Sequence, residues 1–178
     1  RKMFYIKENK GITITALVVM IIVIMILAGV SITQGSNLIK RTQVENYVTN
    51  MLTIRSKAKV FAEEVNAEVW DENDKSTKRT EIFSSKYNMN RASNERDLAS
   101  KVSSNINGEG GCECYEITKD TLIKMSLDDL AKDVNSGDYV VVYNSNDYKN
   151  MDIIYVPGVD FEGNTYYTLS SLQEKIGE

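Results

Sequence analysis

The chain has 178 residues, one proline, two cysteines, no histidine and a formal net charge of −4. That length holds one modest domain plus an extended element. The acidic balance argues against nucleic acid as a partner, which calls for clustered Lys and Arg. The missing His removes the usual neutral-pH general base and the commonest metal ligand, so no Ser-His-Asp set can exist.

The first element is an apolar run. Arg1, Lys2, Lys7 and Lys10 precede it, opposed by Glu8 alone, and no charged residue occurs from Gly11 to Ile39. As a helix this stretch is ~40 Å long at ~1.5 Å per residue, against a hydrocarbon core of ~30 Å. A soluble helix rarely stays apolar all round for so long, so a membrane-resident segment is predicted. The basic excess before it keeps the N-terminal side in the cytoplasm and places everything after Lys40 outside. A secretion signal is the competing reading, with "LAGVS" (27–31) as a weak cut site. The apolar pattern continues past that site through Ile32 and argues against it.

The run "KGITITALVVMIIVIMILAGV" (10–30) resembles the N-terminus of a type IV prepilin, of the variety common in clostridia and related Gram-positive bacteria. The match covers roughly the first third of the chain. The resemblance implies a leader ending at Gly11 and a prepilin peptidase that cuts between Gly11 and Ile12. Ile12 then becomes an N-methylated terminus, and Thr13 and Ile14 also fit the pattern. It further implies an assembly core formed by Leu17, Val19, Ile22, Val23, Ile26 and Leu27. A looser likeness to the tails of such pilin-like proteins runs through "YVPGVDFEGNTYYTLSSLQ" (155–173). The sequence departs from the family at one place. Most members carry Glu five residues after the cut, where it meets the free amine of a growing filament, and this chain has Ala16 there. A leader left on the subunit would remove both the amine and the need for the Glu. Normal cleavage within a subfamily that lacks the Glu is the alternative.

From Lys40 to Trp70 there is neither Gly nor Pro. Apolar residues recur at Val44, Val48, Met51, Ala58, Phe61, Ala62, Val65 and Val69, spaced by threes and fours as one helical stripe that Arg55 interrupts. Glu45, Lys57, Lys59, Glu63, Glu64 and Glu68 form the other face. One helix is therefore expected from about Ile12 to Trp70, with its stripe packed on the chain's own sheet. Phe61 and Val65 are expected against Val140, Val142 and Ile154, the facing parity being open. Gly29 and Gly35, near Ser31 and Thr33, mark a place for a kink or local unwinding. Close helix packing is the competing reading of both glycines.

The stretch 71–97 is polar and weakly periodic, and reads as a surface connection with a short strand near 81–83. Asp71, Asn73 and Asp74 lack EF-hand spacing, so a solvated loop is expected there. Asn94 with Asp97 can cap a short helix through Val102.

"CECYEI" (112–117) follows the Gly-rich turn "NGEGG" and reads as a strand. Thr118 and Ser126 are candidate caps of two short helices, with Asp128 and Asp129 in the first turn of the second. "DYVVVY" (138–143), "DIIYV" (152–156) and "TYYTL" (165–169) are further strands, and "DFEGN" (160–164) holds a hairpin turn. Short links favour antiparallel pairing. Cys112 and Cys114 fall on one strand face, either as a strained disulfide or as free thiols. Two ligands are too few for structural zinc.

The expected architecture is α+β, a long N-terminal helix packed on a small antiparallel sheet. Its segments are a leader (1–11), a membrane or filament-core helix (12–39), an amphipathic outer half (40–70), a polar connection (71–111) and a sheet region (112–178). The expected function is a pilin, the structural subunit of an extracellular type IV pilus-like filament. It is a single-pass membrane protein before assembly and a helical homo-oligomer afterwards, partnered by the prepilin peptidase and the assembly machinery. A low-copy pseudopilin and a singly anchored surface binding module are the alternatives. No enzymatic activity and no cofactor are expected.

Overall fold

The computed structural model describes residues 14–69, 75–108 and 110–177; before Lys40 it describes side chains at 18–22 only. The chain divides into two units, Arg1–Lys40 and Arg41–Glu178. Helix α1 runs Ile14–Glu68, close to the single helix expected from about Ile12 to Trp70. The backbone is helical at both Gly29 and Gly35.

In the second unit α1 is followed by α2 (Lys75–Tyr87), β1 (Asn90–Arg91), α3 (Glu95–Lys101), β2 (Cys112–Ile117), α4 (Lys119–Lys124) and α5 (Asp128–Asp133). Then come β3 (Tyr139–Asn144), β4 (Met151–Phe161), β5 (Asn164–Thr168) and α6 (Leu169–Gly177). The strands form one sheet in the order β1-β2-β3-β4-β5, antiparallel at each pairing. The α+β class and the antiparallel sheet thus match the sequence reading.

Local chemistry sets the turns. Glu162 and Gly163 both have positive φ between the paired Phe161 and Asn164, the two-residue hairpin geometry that a glycine makes easy. The β4–β5 register shifts between Ile154 and Val159. Pro157, which cannot donate to a ladder, lies in that irregular stretch. So does Gly158, where an added Cβ would meet Thr165 Cγ2 at 2.5 Å.

Both faces of the sheet are covered, and all six residues of β3 are buried. One face carries Tyr115, Ile117, Tyr139, Val141, Tyr143 and Ile153, clustered with Met51, Ile54, Phe61 and Val65 of α1 and Phe83 and Tyr87 of α2. The other carries Cys114, Val140, Val142 and Ile154, clustered with Ala92, Leu98, Val102 and Ile106. This corrects the expected partners of Phe61 and Val65. The helix meets the aromatic parity of the strands, and Val140, Val142 and Ile154 face the α3 side. The reason is volume and a hydrogen bond. Tyrosines span the gap to the helix, and the Tyr143 hydroxyl donates to the Ala58 carbonyl at 2.9 Å.

Four local expectations are also corrected. The short strand near 81–83 is part of α2. Phe83 and Tyr87, one helical turn apart, are both buried, and the Tyr87 ring stacks on Phe61 at 3.9 Å between centroids. Ser126 is not a cap: its φ is 60°, and α5 begins after Leu127 without a side-chain cap. Asn94 does precede α3, but its backbone carbonyl, rather than its side chain, receives the amides of Asp97 and Leu98. The C-terminal run ends as a helix, not as sheet. Thr168 Oγ1 accepts the Ser171 amide at 3.2 Å and the Asp152 carboxylate accepts the Ser170 amide at 3.3 Å, which together satisfy the start of α6. By contrast Thr118 caps α4 as expected, in a reciprocal box with Thr121.

Candidate functional site

The sequence points to the apolar half of α1 as the functional element. At 18–22 five consecutive apolar residues, Val18, Val19, Met20, Ile21 and Ile22, are 44–61% exposed. Five successive positions at ~100° each go once round a helix, so the exposed apolar surface is a full collar rather than a stripe. Of the expected assembly residues, Val19 and Ile22 belong to this collar. Leu17, Val23, Ile26 and Leu27 lie on helical backbone, with side chains outside the described residues. Gly11 and Ile12, the expected cleavage pair, lie outside the described residues altogether, as do Asp71, Asn73 and Asp74. Among the described residues no helix is long and apolar enough to cross a membrane; most of the uncharged run falls outside that set.

The second unit holds a buried polar cluster that sequence reasoning missed. Glu113 on β2 is buried and faces the tyrosine side of the sheet. Its carboxylate accepts hydrogen bonds from Ser76 Oγ at 2.9 Å, from the Tyr115 hydroxyl at 2.7 Å and from the Tyr148 hydroxyl. Arg91 Nη1 lies 3.2 Å away and compensates the charge. The same guanidinium donates to Glu95 from Nε and Nη2 at 2.5 and 2.8 Å. A buried carboxylate with this many donors and a cation is fully satisfied. Burial, with the neighbouring Glu113 charge, pushes the Tyr115 phenol up to about 12. Burial likewise raises Tyr148. Both tyrosines therefore stay protonated donors at physiological pH.

Tyr148 links this cluster to a cavity of about 270 Å³ between α1, α2 and the β3–β4 loop. Arg79 stands over the Tyr148 ring, its guanidinium carbon 4.2 Å from the centroid. Arg79 Nε donates to Asn66 Oδ1 at 2.8 Å. Lys59, Glu63, Asp147 and Lys149 complete the charged lining.

Cys112 and Cys114 are free thiols, the second buried and the first half-buried. They share a strand face, as expected, and the Cys114 side packs among Leu98, Val142 and Ile154. Burial raises the pKa of both, so neither is poised as a thiolate nucleophile. Among the described residues no three His, Cys, Asp or Glu side chains converge to hold a metal ion.

Only some of these features have a sequence signal. The collar is legible as an uncharged run. Glu113 is flanked by the cysteine pair and looks like an outward strand residue; Arg91, Ser76 and Tyr148 come from three other places in the chain. Comparison with protein-family models, with curated proteins and with solved structures finds no match.

Proposed function

We propose that this protein is a pilin, the structural subunit of an extracellular type IV pilus-like filament. The observation that carries the reading is the apolar collar on α1, which stands exposed at 18–22 and sits in an uncharged run from Gly11 to Ile39. Before assembly lipid covers such a surface; in a filament the same helix from neighbouring copies replaces lipid. Packing rather than a hydrophobic gain then drives the exchange. The prepilin-like run at 10–30 supports the same reading, as does the α+β unit whose sheet packs on the later part of α1. In this reading Gly11 and Ile12 form the peptidase site, while Leu17, Val19, Ile22, Val23, Ile26 and Leu27 pack in the filament core. Gly29 and Gly35 are the positions at which the helix gives way on assembly. The subunit is a single-pass membrane protein with its C-terminal unit outside until it is incorporated.

The test is direct. Filaments sheared from cells that express the protein are purified, imaged and digested for mass spectrometry. Peptides of this chain as the dominant component support the pilin reading. Trace amounts in filaments built of another subunit identify a pseudopilin. Full retention in the membrane fraction, with no filaments, identifies a singly anchored surface protein and overturns the proposal.

A further inference from the structure

The cavity beside Tyr148 has a wall fixed by three successive contacts. The buried Glu113 carboxylate takes the Tyr148 hydroxyl. The Tyr148 ring carries the Arg79 guanidinium on its face. Asn66 takes Arg79 Nε at 2.8 Å. With one face stacked and Nε engaged, the guanidinium has a set plane. A planar fork held this way is suited to carboxylates, which it grips through two parallel hydrogen bonds. Preorganisation matters because it removes the ordering cost that a mobile surface arginine would carry on binding.

We infer that this cavity binds a small polyhydroxylated carboxylate of the hexuronic acid class, with Arg79 holding its carboxylate. Three observations select that class. The volume, about 270 Å³, accommodates a single sugar ring. The lining holds three cations, Lys59, Arg79 and Lys149, against two acids, Glu63 and Asp147. That is a local positive excess on a chain whose net charge is −4, and it favours a monoanion. The two carboxylates accept sugar hydroxyls and repel a doubly charged phosphate. Asp147 is itself steadied, its Oδ1 accepting the Lys149 amide at 3.1 Å. The inference does not rest on the filament reading. It concerns residues of the second unit alone and would hold for an anchored monomer.

The experiment uses the full chain in a non-ionic detergent without a sugar headgroup. It is titrated calorimetrically with D-glucuronate, D-glucose and inorganic phosphate at moderate salt. Saturable glucuronate binding, with glucose and phosphate each weaker by about tenfold or more, is the expected result. Arg79→Lys keeps the charge but loses the fork, and should weaken glucuronate by a similar factor. Asn66→Ala, which frees Nε, should weaken it less. Circular dichroism and the thermal midpoint of each variant show that the fold is intact. Phosphate binding as tightly as glucuronate would reduce the cavity to a general anion site and overturn the class. Absent saturation, or wild-type affinity in a folded Arg79→Lys variant, would overturn the site itself.

Discussion

Two stretches of α1 handle apolar surface in opposite ways. Between Val44 and Val65 an apolar stripe recurs every three or four residues and is buried apart from the half-buried Val48, while Leu52 and Val60 stand exposed off it. Met51, Ile54, Ala58 and Val65 are fully enclosed by the sheet and α2. At 18–22 apolar residues follow one another without a break and stand exposed. The period of the pattern tells where the partner is. A stripe implies a partner on one side, and the same chain supplies it. A collar implies partners on every side, which a single sheet cannot offer. In the filament reading proposed above, that partner is lipid first and other copies of the chain afterwards.

The sharpest way to break this comparison is to put charge into the collar half. Val23→Asp or Ile26→Asp should abolish filament formation while leaving the second unit folded. An aspartate near the middle of an apolar helix costs roughly 2.5–3.5 kcal/mol on insertion scales, and a helical bundle repeats that cost at every subunit. Negative-stain micrographs report assembly, and near-ultraviolet circular dichroism of the tyrosine cluster reports the second unit. Filaments of normal yield from either variant would contradict the reading.

The complementary cut falls on the striped half. Phe61 is buried and stacked on Tyr87. Phe61→Ala should lower stability by about 3–5 kcal/mol, measured by denaturant unfolding of the full chain in detergent. A loss below ~1 kcal/mol would mean that the stripe is not the main attachment of α1 to the sheet. Tyr143→Phe is a finer probe. It removes the hydroxyl that donates to the Ala58 carbonyl and keeps the ring between Phe83 and Tyr148. The helix still satisfies that carbonyl in part, so the expected loss is ~1 kcal/mol. An unchanged midpoint would assign the helix-facing parity to ring volume alone.

How much of this was legible follows from the same contrast. "CECYEI" was readable because the strand is bounded by glycines and Thr118, and the paired strand is Cys112–Ile117. The α1 stripe was readable because one face of it is exposed. Parity was not, since β3 is buried on both faces and shows no alternation to read. Helix α2 was missed because its buried residues, Phe83 and Tyr87, are too few among Lys, Ser and Thr to set a period. Its hydroxyls are accommodated in ways that sequence does not display, Ser85 Oγ donating back to the Glu81 carbonyl at 2.7 Å. Helix α6 was missed because Thr168 supplies only part of its cap, and the rest comes from Asp152, which is remote in sequence. The cavity was invisible for a similar reason, since Asn66, Arg79 and Tyr148 come together only after three elements have packed.

The smallest expected effect comes from that same cap. Asp152 is buried, and its carboxylate accepts the amides of Ile153 and Ser170 at 2.8 and 3.3 Å and the Ser170 hydroxyl at 2.5 Å. Burial raises its pKa above the ordinary carboxylate value. The Ser170 and Ile153 hydrogen bonds and the positive charge of Arg55 pull the other way without overcoming it. A folded-state pKa above the unfolded one means that the native state binds this proton more tightly. The resulting stability is fully present below the unfolded value, near 3.8, and is lost as pH rises through the folded value. Asp152→Asn removes the titration and keeps an oxygen that can accept the Ser170 amide. The gap in unfolding free energy between wild type and Asp152→Asn should therefore move in favour of the wild type as pH falls from 7 to below 3.8. At pH 7 the variant should be as stable as the wild type or slightly more so, because a buried charge has gone while the α6 cap remains. Urea midpoints of the two proteins at both pH values measure the gap, and other carboxylates, common to both, cancel in it. A gap that stays constant with pH, or that moves in favour of the variant on acidification, would show that the hydrogen bonds to the carboxylate outweigh its burial.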